Sequence, residues 1–177
     1  VSRECNRLTS QPHLWKCINL RGITLNDWQY FGHNIVEANA AEEINFEGVR
    51  IDGNCYEFWR NFAEIIDYLK SVKRLKFNSI PVFVLEQIVA AAFESNLYCS
   101  FADLEQLIVK NLLDEEGKES QKSIAFMENI SALSGLKHLS LHSKNGFIHV
   151  EGSNDLLANS LGSFDSLEFL SLICLKG

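Results

Sequence analysis

Leu136-Lys137-His138-Leu139-Ser140-Leu141 reads apolar-x-x-apolar-x-apolar, and five further segments of the chain answer to the same pattern. They are Leu14-Trp15-Lys16-Cys17-Ile18-Asn19-Leu20, Glu43-Ile44-Asn45-Phe46, Val72-Lys73-Arg74-Leu75-Lys76-Phe77, Leu104-Glu105-Gln106-Leu107-Ile108-Val109 and Leu167-Glu168-Phe169-Leu170-Ser171-Leu172. With Ile18, Ile44, Leu75, Leu107, Leu139 and Leu170 taken as equivalent, the steps are 26, 31, 32, 32 and 31 residues. Near-constant steps of this length predict stacked units. The last two apolar residues of each segment alternate, as in a strand with one buried face. In Leu139-Ser140-Leu141 the leucines are expected inward and the serine outward.

Between these strands the spacing turns helical. Trp28, Phe31, Ile35 and Val36 follow Asn26 and Asp27, either of which can cap a helix. Phe58, Phe62, Ile65, Ile66 and Leu69 follow Asp52 and Asn54 at steps of three and four. Pro81 stands where a helix begins, and Val82, Leu85, Ile88, Val89 and Phe93 continue on one side, with Ala90, Ala91 and Ala92 small enough for close packing. Phe126, Met127, Ile130 and Leu133, then Leu156, Leu157 and Leu161, supply two later helices. A single strand-turn-helix unit cannot bury its apolar face, whereas a stack buries a continuous core. Helical-pair units of similar length would lack the period-two segment.

The chain resembles leucine-rich repeat proteins of the long, helix-containing kind, over Leu14 to the end. The resemblance implies an α/β solenoid, a horseshoe with parallel strands on its concave face and helices on its convex face. The ninth motif position, usually Asn or Cys, holds Ile23, Val49, Ile80, Leu112, Lys144 and Leu175. Aliphatic residues cannot hydrogen-bond turn backbone, so irregular turns are expected.

The first fifteen residues carry a second resemblance. Val1, Asn6, Leu8, Pro12, Leu14 and Trp15 are similar to the C-terminal half of an F-box, where a Val-x-x-x-Trp-Asn-x-Leu helix leads to Pro-x-Leu-Trp. Cys5 stands where that family usually has Trp. Two regions are expected: 1–15 as an F-box remnant or a helical cap, and 16–177 as the repeat domain. The resemblance implies a substrate receptor of an SCF-type cullin-RING ubiquitin ligase. Val1, Leu8, Pro12, Leu14 and Trp15 would then face a Skp-family adaptor, and the Leu-Pro start of the F-box is expected upstream in a longer natural chain. The alternatives are a ubiquitin-independent repeat scaffold or inhibitor, and a secreted recognition domain.

In such a horseshoe the outward strand residues receive a protein ligand. They are Cys17, Asn19 and Arg21; Glu43, Asn45 and Glu47; Arg74, Lys76 and Asn78; Gln106, Ile108 and Lys110; His138, Ser140 and His142; and Phe169, Ser171 and Ile173. Arg74, Lys76, Lys110 and the two histidines suggest an acidic or phosphorylated segment as ligand. Phe169, Ile173 and Leu175 make the last row apolar, so further units or a partner are expected over it. Asp114 to Gln121 reads as a charged, solvated loop.

Of 177 residues, 46% are hydrophobic and the net charge is −7, which sets aside wholesale disorder and a general nucleic-acid binder. Val82 to Phe93 is too short to cross a bilayer. The cysteines (Cys5, Cys17, Cys55, Cys99, Cys174) are scattered and are expected to be reduced and mostly buried, in a cytoplasmic or nuclear protein. Asn129-Ile130-Ser131 matches a glycosylation acceptor. His138 and His142, on one strand, lie roughly 13 Å apart, too far to share a metal ion. No phosphate loop, nucleophile elbow, calcium loop or Cys-x-x-Cys is present. No catalytic residue, metal or cofactor is expected.

Overall fold

The computed structural model describes residues 15–25, 28–93, 101, 103–113, 122–123, 129–131, 133–142, 148–149, 158–159, 161–173 and 175–176. The architecture is α/β, built on one six-stranded parallel sheet. In chain order the elements are β1 (Cys17–Asn19), β2 (Thr24–Leu25), α1 (Trp28–Glu37), β3 (Glu43–Phe46), β4 (Arg50–Ile51) and α2 (Cys55–Glu64). A 3₁₀ turn at Ile66–Tyr68 leads to β5 (Arg74–Phe77), β6 (Ile80–Pro81) and α3 (Val82–Phe93). Then come β7 (Gln106–Val109), β8 (Leu112–Leu113), β9 (Lys122–Ser123), β10 (His138–His142), β11 (Ile148–His149), β12 (Phe169–Ile173) and β13 (Leu175–Lys176).

The main sheet runs β1-β3-β5-β7-β10-β12, so each strand lies beside the next one in sequence. Its register aligns the six positions that the sequence pattern made equivalent. Ile18 pairs with Ile44, Ile44 with Leu75, Leu75 with Leu107, Leu107 with Leu139, and Leu139 with Leu170. A shift of one residue would turn every buried side chain outward, and so burial fixes the register.

The inward residues form the floor of the core. Ile44, Leu75, Phe77, Leu107, Val109, Leu139 and Leu141 are fully buried, and Phe46 nearly so. Phe46 stacks on Phe77 of the next strand at 5.3 Å and 10°. Helices cover this floor. From α1, Phe31 and Ile35 are buried, and Trp28 meets Phe58 of α2 edge-on at 5.1 Å. Asn54 caps α2, its Oδ1 accepting from the Tyr56 and Glu57 amides at 3.1 and 3.2 Å. The expected stripe of α2 is present, but α-geometry ends at Glu64, and the buried Ile66 belongs to the 3₁₀ turn. Trp59, outside that stripe, is also buried, among Phe46, Phe58, Phe62 and Phe77. Helix α3 starts directly after Pro81 and buries Val84 besides the expected Val82, Leu85, Ile88 and Val89. Ala91 is buried there while Ala90 is exposed. Fully burying one such aliphatic or aromatic side chain stabilises the fold by roughly 1.5–3 kcal/mol.

The turns show how the chain manages without Asn at the ninth motif position. In the first two, an outward strand residue takes that part: Asn19 Oδ1 accepts from the Arg21 amide at 3.1 Å, and Asn45 Oδ1 from the Glu47 amide at 2.8 Å. Gly22 and Gly48 follow with φ of 74° and 69°, a conformation that favours glycine. In the next two turns Ile80 and Leu112 point into the core and pair with each other through β6 and β8. Short parallel strands tie the turns in three separate groups: β2 with β4, β6 with β8, and β9 with β11 and β13.

The region 1–14, the possible caps Asn26 and Asp27, the loop from Asp114 to Gln121, and Phe126, Met127, Leu156 and Leu157 lie outside the described residues. Ile130 and Leu133 are buried as expected. Of the five cysteines, Cys17 and Cys55 lie among the described residues; both are free, as expected, but exposed instead of buried, because one sits on the outward side of β1 and the other opens α2. Among the described residues no helix is long and apolar enough to cross a membrane.

Candidate functional site

Alternation along each strand places the candidate ligand residues together on the outward side of the sheet. Three columns run across it. One is Cys17, Glu43, Arg74, Gln106, His138 and Phe169, and the next is Asn19, Asn45, Lys76, Ile108, Ser140 and Ser171. A third, beyond most strand ends, holds Arg21, Glu47, Asn78, Lys110, His142 and Ile173. Arg21, Asn78 and Lys110 are exposed, and Glu47 and His142 are half-buried.

The three cations are not free. Glu43 on β3 reaches both cations of β5, with Oε2 2.9 Å from Arg74 Nε and Oε1 2.8 Å from Lys76 Nζ. Lys110 Nζ lies 2.7 Å from Glu47 Oε1, so its long side chain spans the intervening row of Asn78. The Lys76 hydrogen bond pulls the Glu43 pKa below its ordinary value; partial burial opposes the shift and Arg74 reinforces it. The expected basic patch is therefore largely neutralised from within the sheet.

The last two rows have a different chemistry. His138 and Phe169 stack at 4.2 Å and 26°. His142 Nε2 lies 3.2 Å from Ser140 Oγ on its own strand and 3.1 Å from Ser171 Oγ on the next. Ser140 is buried at 7% exposure, whereas Phe169 and Ile173 stand out at 49% and 63%. Ile108 is half-buried beside Ser140.

A second array lies just ahead of the strands, where Lys16, Glu42, Lys73, Glu105, Lys137 and Glu168 alternate in sign from row to row. Each backbone carbonyl from Lys16 to Lys137 in this set accepts two amides of the next row. Glu42 O, for example, takes Lys73 N at 2.8 Å and Arg74 N at 3.0 Å. Their side chains form ion pairs: Lys16 with Glu42 at 3.8 Å, Lys73 with Glu42 at 3.7 Å, and Lys137 with Glu105 at 3.2 Å. Sequence reading missed this array, although its signal was in plain view two residues ahead of each aligned position.

Of the candidate adaptor residues, Val1, Leu8, Pro12 and Leu14 fall outside the described residues, and Trp15 packs half-buried against the core. Elsewhere an open cleft is lined by Leu25, Trp28, Ile51, Phe58 and the polar Asp52, Asn54, Glu57 and Asn61, none of them an outward-face residue. Among the described residues, no group of three His, Cys, Asp or Glu could hold a metal ion. No protein-family model matches the chain, and no curated protein or solved structure is significantly similar to it.

Proposed function

We propose that this chain is a leucine-rich repeat horseshoe that recognises a protein, and that it serves as the substrate-selecting part of an F-box receptor in an SCF-type cullin-RING ubiquitin ligase. The observation that carries the recognition reading is the in-register order of six parallel strands, each beside its successor in sequence. Strands pack about 4.8 Å apart and helices about 8–10 Å apart. An array carrying both layers curves with the strands inside. The outward residues then line a broad concave surface, suited to a protein segment and not to a small substrate.

The ligase assignment rests on the sequence of the first fifteen residues, with their Pro12-x-Leu14-Trp15 ahead of the first strand. In this reading the chain does no chemistry; it holds a protein in reach of a ligase. Free, exposed Cys17 and Cys55 suit the reducing cytoplasm or nucleus. A ubiquitin-independent scaffold needs only the outward face, and a stable partner complex without ligase subunits would favour it.

Co-purification of the natural full-length protein with a Skp-family adaptor, alongside residues 1–177, tests the assignment. Retention of the adaptor by the full-length protein is the expected result. Its absence, with the full-length protein folded, would overturn the ligase reading.

A further inference from the structure

We infer that the outward residues of β10 and β12 are the anchor of the binding surface. They take an aromatic side chain of an extended, uncharged protein segment together with that segment's carbonyl oxygens. The inference rests on the reading of the outward face as a protein-binding surface and adds the chemistry of its ligand.

Charge directs the choice. Arg74, Lys76 and Lys110 are already held by Glu43 and Glu47 at 2.7 to 2.9 Å. An acidic or phosphorylated ligand would meet cations whose charge a built-in carboxylate already offsets, so each contact gains less than it would at an unpaired cation. The outward residues of β10 and β12 present imidazole, hydroxyl and apolar groups, with no carboxylate, Lys or Arg among them. A charged ligand group placed there would lose its water and find no carboxylate, Lys or Arg on these strands to pair with.

Shape and order supply the aromatic half. The His138–Phe169 stack is already assembled, and Phe169 keeps 49% of its surface exposed. A flat, ordered ring pair loses little conformational freedom when a second ring lies on it, and aromatic anchors dominate binding surfaces. Ile173 continues the apolar strip on the same strand.

Hydrogen bonding supplies the carbonyl half. His142 Nε2 stands between the hydroxyls of Ser140 and Ser171, and one ring nitrogen cannot satisfy both. If Nε2 carries the proton, neither hydroxyl proton is used by the ring. If Nδ1 carries it, Nε2 accepts one hydroxyl proton, and the other hydroxyl and Nδ1–H remain as donors. Either tautomer leaves two donors of this cluster unused by the ring–hydroxyl contacts. Their natural complement is a pair of uncharged acceptors, such as successive carbonyls of an extended chain. Ser140 is the polar residue that the described core buries most deeply, and its hydroxyl lies at the base of this cluster.

The test is selection of a displayed random-peptide library on the 177-residue chain, followed by calorimetric titration of synthetic copies of the selected peptides. The expected peptides carry Trp, Tyr or Phe and no acidic residues. Their affinity should fall roughly tenfold or more in Phe169→Ala and less in Phe169→Leu, which keeps the apolar volume. Ser140→Ala and Ser171→Ala should each weaken binding several-fold. Gln87→Glu, at an exposed position of α3 away from this face, should leave it unchanged, and added salt should matter little. Melting curves of each variant separate lost binding from lost fold. Selection of acidic peptides that depend on Lys76 and Lys110 would overturn this anchor and leave the recognition face standing. No selected peptide, or peptides indifferent to every outward-face variant, would overturn the recognition reading and this inference together.

Discussion

Glu43 Oε1 accepts a 2.8 Å hydrogen bond from Lys76 Nζ across neighbouring strands, and its other oxygen accepts from Arg74. A surface that reads as basic in one dimension is thus a balanced network once β3 lies beside β5. The partners are 33 residues apart in sequence, a distance that only the sheet register closes.

The first prediction follows from this pair. A carboxylate whose pKa is lower folded than unfolded stabilises the fold above its ordinary range, and loses that contribution as pH falls through the folded value. Glu43→Gln should therefore lower stability by about 1 kcal/mol at neutral pH. The gap between variant and parent should close in acid, because both then carry an uncharged group at that position. Denaturant unfolding across a pH series measures it; a gap that widens in acid would contradict the account.

Charge reversal at Lys76 should disturb more than a ligand. Lys76→Glu would set a carboxylate against Glu43, so a loss of stability of about 1 kcal/mol is expected. Lys110→Glu, at a more exposed pair with Glu47, should cost less. Thermal melting of both variants settles the order.

The alternating array ahead of the strands predicts a salt-dependent effect. Lys73→Glu places a carboxylate between Glu42 and Glu105, and stability should fall by up to about 1 kcal/mol at low ionic strength. Most of that loss should vanish at high salt, since these side chains are well exposed. An effect independent of salt would point to packing and not to charge.

In the core, Trp59→Ala should destabilise by roughly 3–5 kcal/mol, the usual cost of deleting a buried large aromatic side chain. Trp59→Phe should cost much less, because Nε1 is buried without a hydrogen-bond partner among the described residues and its removal leaves no acceptor stranded. At the cap of α2, Asn54→Ala should cost about 1 kcal/mol. Chemical denaturation of the three variants checks the ranking.

The strands were legible because their signal is local: Leu139-Ser140-Leu141 alternates within three residues, and equal steps align it with Ile44 and Leu75. Asn54 and Pro81 marked helix starts for the same reason, since caps act within one turn. Trp59 and Val84 escaped because α2 and α3 are covered on more than one side, and a single apolar stripe then understates burial. The turns escaped in part, as Asn19 and Asn45 took over backbone groups from an unexpected position. The candidate face was located by alternation alone, but its charge was misjudged. The Glu43 ion pairs and the His142 cluster with Ser171 join residues some thirty positions apart, and Glu47 meets Lys110 across two strand steps. The cysteine environments depended on which side of β1 and which end of α2 they occupy.

The most direct measurement compares two variants of the natural full-length protein in one co-purification. Leu8→Ala with Trp15→Ala should lose the Skp-family adaptor and keep the protein bound by the outward face. Phe169→Ala with Ser171→Ala should keep the adaptor and lose that bound protein. Such a double dissociation is what the account predicts. An intact full-length protein that retains no adaptor, or whose bound protein is indifferent to the Phe169 and Ser171 changes, would contradict it.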